Sequence, residues 1–197
     1  MCLGNPFPGI LESDFEKIPR PVQLRRSPGY RRKNMSDDLI TELDTAFLRR
    51  TFDLAKSARD KGNMPFGAVF TTPGGQLLAE AENSTVVDKD IASHAEINAI
   101  RRICTNDGQA SLAGATAYTN CSPCPMCFGA MIRYGVSKLV YGTDYLNLSG
   151  AVLPTNSVAY GGSLAKMAES AYQPILVLGP CLEDEAKLSL LSREERN

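Results

Sequence analysis

The sequence predicts a three-layer α/β/α sandwich built on a mixed five-stranded sheet, and three observations predict it. Strand patterns alternate with helical ones after an opening hairpin. The two segments richest in metal-binding side chains each fall at a helix start that follows a strand. The chain of 197 residues, 43% apolar and 22% charged, can bury one substantial core and sits close to globular averages.

Residues 1–36 hold Pro6, Pro8, Pro19, Pro21 and Pro28 with little apolar periodicity, which predicts an extended Pro/Arg-rich arm. The folded domain is expected over 37–197. Arg20, Arg25, Arg26, Arg31, Arg32 and Lys33 crowd into the arm. Such a run is ordinarily a solvated face, contact with an acidic partner being the other reading. From about Asp38 to Lys61 the pattern is helical, with Leu43, Phe47, Leu48, Phe52, Ala55 and Ala58 as the inward stripe and Gly62 as its cap. Phe66 to Thr71 reads as a strand, Pro73-Gly74-Gly75 as a turn, and Gln76 to Glu82 as the second strand of a hairpin.

A helix follows from near Ser93, with Ile97, Ile100 and Ile103 as its buried line. Ala115 to Thr119 is the third strand, Pro125 to Tyr134 the third helix and Lys138 to Tyr141 the fourth strand. A short helix around Leu164 to Ser170, a fifth strand at Ile175 to Leu178 and a helix from Leu182 to Arg196 complete the pattern. There is no internal repeat.

The net charge of −1 argues against a protein that holds nucleic acid chiefly by neutralising phosphates. No apolar run approaches the roughly 20 residues that span a bilayer. The first residues lack a basic segment followed by an apolar signal core, so a cytoplasmic or nuclear location is expected, with no membrane partner. The six cysteines then read as reduced thiols or metal ligands rather than disulfides. Three of them, Cys121, Cys124 and Cys127, fall within seven residues.

Those cysteines carry the chemistry together with His94, the one histidine of the chain. Imidazole and thiolate are preferred zinc ligands, and a catalytic zinc takes three protein ligands plus water. His94, Cys124 and Cys127 supply that set. Pro125 suits the first helical position, which puts Cys124 at the helix start and Cys127 about one turn on, facing the same metal. The positive helix end also favours thiolates. Glu96 lies roughly 200° around the helix from His94, so the two converge only on a point just beyond the helix N-terminus. There Glu96 can take a proton from a water and pass it to a substrate ring nitrogen, then to a leaving amine. His-x-Glu followed by Pro-Cys-x-x-Cys is the signature of zinc deaminases. A closed structural site with Cys121 as fourth ligand is the bland alternative, although Cys121 ends a strand before a Ser-Pro turn.

These residues resemble the cytidine deaminase-like superfamily, in its nucleobase branch of guanine, yeast-like cytosine and tRNA adenosine deaminases. Pro65 to Val69 is similar to that family's first core strand, Asn83 to its base-contacting asparagine, and Ser93 to Ile100 to its second helix. Tyr118 to Ala130 is nearest to guanine deaminase-type sequences, and the resemblance spans roughly residues 45–145. It implies that Asn83 hydrogen-bonds the substrate ring, that the backbone at Gly67 and Ala68 lines the pocket, and that backbone at Ser122 and Cys124 holds the substrate. Phe66 is implied as a base contact or a core residue. The resemblance also implies a homodimer and a small-molecule amino-heterocycle as substrate. Two departures bear on which substrate enters. Ser122 stands where many branch members carry Glu, and the chain after Tyr141, with Asp144, Tyr145, Asn147, Ser149, Pro154 to Ser157 and Gly161 to Ser163, follows its own pattern.

The expected activity is zinc-dependent hydrolytic deamination of a nucleobase, nucleoside or related amino-heterocycle. Three alternatives stand beside it: editing of a base in tRNA with help from the basic arm, a cysteine hydrolase using a thiol with His94, and a non-catalytic zinc-stabilised scaffold or partner subunit. Glu96 has no use in the last two.

Overall fold

The computed structural model describes residues 39–106, 111–145 and 164–191. The arm read over 1–36, with its boundary at 37, lies outside the described residues, as do Asn147, Ser149, Pro154 to Ser157 and Gly161 to Ser163. The described elements run α1 (Glu42–Asp60), β1 (Gly67–Thr71), β2 (Leu77–Glu82), α2 (Ala95–Asn106), β3 (Thr116–Cys121), α3 (Pro125–Tyr134), β4 (Lys138–Thr143), α4 (Leu164–Glu169), β5 (Leu176–Leu178) and α5 (Glu183–Leu190).

The sheet order is β2-β1-β3-β4-β5, with β1 antiparallel to both neighbours and β3, β4 and β5 mutually parallel. The mixed five-stranded sheet is thus as expected. Strand alternation divides the apolar residues between its two faces. Ala68, Phe70, Ala117, Leu139 and Tyr141 pack with Ala99, Ile100 and Ile103 of α2 and Phe128 and Met131 of α3. Val69, Tyr118, Val140 and Leu178 pack with Leu48 and Phe52 of α1 and Ala186 of α5. Two cores on opposite faces of one sheet make the three layers.

Topology gathers one end of the sheet into a site. β3 and β4 end together at Cys121 and Thr143. Antiparallel β1 starts beside the end of β3, pairing Ala68 with Thr119, and β2 ends beside the start of β1, pairing Glu82 with Gly67. Phe66, Asn83, Asn120 and Tyr145 are therefore neighbours although scattered along the chain. Gly67 is required there for a different reason. A Cβ on it would sit 2.4 Å from the carbonyl oxygen of Thr51 and 2.6 Å from Cβ of Leu54, so α1 presses directly on this backbone.

Helix α1 starts at Thr41 rather than near Asp38 because a capping box sets its end. Asp44 N–H donates to Thr41 Oγ1 (3.1 Å) and Thr41 N–H donates to Asp44 Oδ2 (2.9 Å). The buried Asp44 carboxylate also accepts from Lys138 Nζ (2.7 and 2.8 Å) and Tyr118 Oη (2.9 Å), tying the helix start to β3 and β4. Asp44 thereby displaces Leu43 from the inward stripe, and Leu43 lies half exposed over Gly75 of the hairpin turn. Gly62 follows the helix in the left-handed region (φ +83°), as a cap should.

Two further expectations are corrected. The buried line of α2 is Ala95, Ala99, Ile100 and Ile103, whereas Ile97 is only half-buried. Positions three apart drift about 60° per step, so Ile97 has left the face that Ile103 occupies. Helix α5 ends at Leu190, not Arg196. Leu191 is extended (φ −80°, ψ 146°), and the Arg59 guanidinium donates to the carbonyls of Ser189 and Leu191.

Burial raises the Asp44 carboxyl pKa, but the hydrogen bonds from Lys138, Thr41 and Tyr118 outweigh it and hold the pKa below its ordinary value. A depressed pKa stabilises the fold above the unfolded value of about 3.9, and that stability is lost as pH falls through the folded value. Asp44→Ala is therefore expected to cost roughly 3–5 kcal/mol at neutral pH, the usual result of orphaning a buried pair. Urea unfolding at pH 7 and pH 3 checks it: the gap to the unaltered chain should narrow at pH 3, and an equal or wider gap would refute the assignment.

Candidate functional site

Cys124 is the N-cap of α3, with extended backbone (φ −70°, ψ 165°), and Pro125 takes the first helical position. Proline fits there because its φ is already helical and its missing N–H would have had no partner. Cys127 follows one turn later, fully buried. His94 immediately precedes α2, its carbonyl accepting the N–H of Asn98 (2.9 Å) as the first bond of that helix.

The approach to His94 is held by side chains rather than by a ladder. Asn98 Nδ2 donates to the carbonyl of Glu82 (3.1 Å) and to Ser84 Oγ (2.9 Å), and Asn63 Oδ1 accepts the N–H groups of Val86 and Val87 (3.1 Å each). Asp90 accepts from Ala92 N–H (2.9 Å) and Ser93 Oγ (2.8 Å).

The result is a small triangle of donors. His94 Nδ1 lies 3.6 Å from Cys124 Sγ and 3.5 Å from Cys127 Sγ, and the sulfurs are 3.6 Å apart. Tetrahedral zinc, at roughly 2.3 Å from sulfur and 2.0–2.1 Å from nitrogen, needs S···S edges of about 3.8 Å and S···N edges of about 3.6 Å. The triangle has those dimensions, and the donor set is one zinc prefers. No fourth His, Cys, Asp or Glu joins the group among the described residues. Cys121, buried at the end of β3, stays outside it, and burial pushes its thiol far up in pKa.

Electrostatics at the triangle follow from the contacts. The Cys127 thiol beside Cys124 brings the Cys124 pKa down to about 4, against the effect of burial. Cys127 is driven up by the same pairing and by burial. His94 is raised, chiefly by its bond with Cys124. Burial pushes the Glu96 carboxyl up.

His94, Cys124 and Glu96 meet at a cleft. Phe66, Gly67, Asn83 and Ser122 line it as well. Ala68 does not: its side chain is fully buried in the core with Phe70. Two of these residues have their donors already committed. Gly67 N–H donates to Asn120 Oδ1 (3.0 Å). Ser122 N–H donates to the carbonyl of Thr143 (2.8 Å), and its hydroxyl is bonded to Asp144 and Tyr145.

Thr119, Asn120 and Tyr145 also line the cleft and were not assigned a role on sequence grounds. Asn120 is the busiest. Besides accepting from Gly67, it donates through Nδ2 to the carbonyl of Pro65 (2.9 Å) and to Ser189 Oγ of α5 (3.3 Å), fixing the bend that presents Phe66. The available signal was the run Thr119-Asn120-Cys121-Ser122, polar residues closing a buried parallel strand, where ligands bind in such sheets.

The zinc-loaded chain is expected to hold one zinc per molecule. Cys127→Ala and His94→Ala should lose it, while Cys121→Ser and Glu96→Gln keep it. Metal analysis after gel filtration decides, and loss of zinc from Cys121→Ser would show a closed, four-ligand site.

Residues 41–143 match the family described as the cytidine and deoxycytidylate deaminase zinc-binding region. A probable cytosine deaminase of Schizosaccharomyces pombe is 34% identical over 158 residues, covering 77% of this chain and 93% of that one. The guanine deaminase of Bacillus subtilis is 35% identical over 106 residues, covering 53% of this chain and 67% of that one. A solved chain from a study of A-to-I editing by tRNA:A34 deaminases superposes with a TM-score of 0.61 at 28% identity, covering 74% of this chain and 99% of that one. Guanine deaminase from Nitrosomonas europaea, at 24% identity, shares the fold with a TM-score of 0.63 over 74% of this chain and 81% of that one. With more than half of the chain inside the family match and the zinc donors assembled, the chain belongs to the cytidine and deoxycytidylate deaminase zinc-binding family and is a zinc-dependent hydrolytic deaminase.

Proposed function

We propose that the chain removes the amino group of a free nucleobase or closely related amino-heterocycle and releases ammonia. One observation carries this reading: Glu96, almost wholly buried, opens on the same cleft as the zinc donors and Asn83. Zinc, when bound, lowers the pKa of a water to about 7 and so makes hydroxide available at neutral pH. Glu96 moves the proton, first to the ring nitrogen beside the amine-bearing carbon and then to the departing amine.

The remaining residues orient the ring. Asn83 Oδ1 accepts from the N–H and hydroxyl of Thr85 (3.1 and 2.9 Å), so its NH2 is the end it offers a ring acceptor. Phe66 gives an apolar wall, and Gly67 gives close backbone approach without a free N–H. Similarity along 93% of a probable cytosine deaminase, and along 67% of a guanine deaminase, supports a free base as the substrate class. A homodimer in the cytoplasm belongs to the same reading, and the free cysteines of the described residues suit a reducing compartment.

A second reading, a base within tRNA, is favoured by the likeness to the tRNA:A34 deaminase structure at 28% identity. The net charge of −1 offers it few phosphate contacts.

An ammonia-release screen over cytosine, guanine, adenine, their nucleosides and a tRNA transcript, with and without zinc, separates the two. Turnover of a free base that depends on zinc is expected, and turnover of the transcript alone would overturn the proposal. Glu96→Gln should retain zinc yet lose at least about a hundredfold in kcat, the ordinary worth of a positioned proton carrier. Unchanged kcat in that variant would remove Glu96 from the mechanism.

A further inference from the structure

The chain between the zinc-ligand turn and the cleft wall is joined at one hydroxyl. β3 ends at Cys121 and β4 at Thr143, and among the described residues no strand pairing holds either segment beyond them. Ser122 bridges them. Its N–H donates to the carbonyl of Thr143 (2.8 Å), which extends the parallel ladder by one bond. Its Oγ then accepts the N–H of Tyr145 (2.7 Å) and donates to Asp144 Oδ1 (3.2 Å). Both capacities of one largely buried hydroxyl are used on consecutive residues. Two residues after Ser122 comes Cys124, and Tyr145 lines the cleft.

We propose that Ser122 is a positioning residue whose hydroxyl holds Tyr145 in place as a wall of the substrate cleft. This rests on reading the cleft as the site where the base binds. Ser122 acts through its side chain on Asp144 and Tyr145, and its effect on the reaction passes through Tyr145 rather than through the zinc donors. Ser122→Ala removes an acceptor and a donor at once. Tyr145 N–H then has no partner in Ser122. The Asp144 carboxylate orients the hydroxyl by accepting its hydrogen bond, which leaves a lone pair for Tyr145 N–H.

The consequences separate binding from chemistry. Ser122→Ala should raise KM about five- to tenfold, the fold-change expected from one lost neutral hydrogen bond, with kcat and zinc content unchanged. Asp144→Ala should raise KM in the same direction. A double-mutant cycle with Tyr145→Ala tests the route: once Tyr145 is truncated, adding Ser122→Ala should change KM by less than twofold. Independent KM effects that multiply, or a fall in kcat or zinc content with KM unmoved, would overturn the proposal.

Amide hydrogen exchange on the zinc-loaded full chain gives a readout that needs no turnover. Tyr145 N–H should exchange slowly in the unaltered chain and at least tenfold faster in Ser122→Ala, and equal rates would overturn the assignment. If Ser122→Ala does not fold, the Asp144→Ala cycle and its Tyr145 exchange rate decide in its place. An unaltered chain that releases ammonia from no base would sink the substrate reading, whereas an active chain with equal Tyr145 exchange would sink the role of Ser122 alone.

Discussion

The spacing of three donor atoms governs this molecule. His94 Nδ1 and the sulfurs of Cys124 and Cys127 sit 3.5–3.6 Å apart, and little else in the sheet's end could move without spoiling that triangle. It requires two helices, α2 and α3, to begin at the same place on the same face of the sheet. Helix N-termini are where partial positive charge gathers, which favours thiolates. Pro125 and the extended backbone of Cys124 set one start, and the bond from Asn98 N–H to the carbonyl of His94 sets the other.

Around the triangle, buried polar side chains replace regular ladders. Asn63 and Asn98 hold the loop between Asn83 and His94, Asn120 holds the bend at Phe66 and Gly67, and Ser122 holds Asp144 and Tyr145. Each of them bonds at least one backbone group of a neighbouring segment. This is why so short a span of sheet edge can present apolar, amide and carboxylate groups together. It also links the site to the outer layer, since Asn120 reaches Ser189 of α5.

The elements whose ends carry their own chemical marks were legible in the sequence. α3 runs over Pro125–Tyr134 as expected, because Pro125 and the left-handed Gly135 mark its two ends locally. The zinc donors were legible for the same reason: their spacing is a local property of two helix starts. What sequence reasoning missed depends on distant partners. The α1 start has a local mark in the Thr41 and Asp44 capping box, but the inward place of Asp44 depends on Tyr118 and Lys138, 74 and 94 residues away. At the end of α5, Arg59 reaches the carbonyls of Ser189 and Leu191 from 130 and 132 residues away, and Ala68 is taken up by the core beside Phe70. Asn120 and Ser122 took their roles from residues 53 and 23 positions removed, which no periodicity announces.

The central claim is a zinc held by three protein ligands, with Glu96 beside it as a proton carrier and Cys121 outside. X-ray absorption at the zinc edge of the loaded full chain tests it most directly. Two sulfur neighbours at about 2.3 Å and two lighter nitrogen or oxygen neighbours at about 2.0–2.1 Å are expected. Three sulfur neighbours would draw Cys121 into the shell and contradict the account.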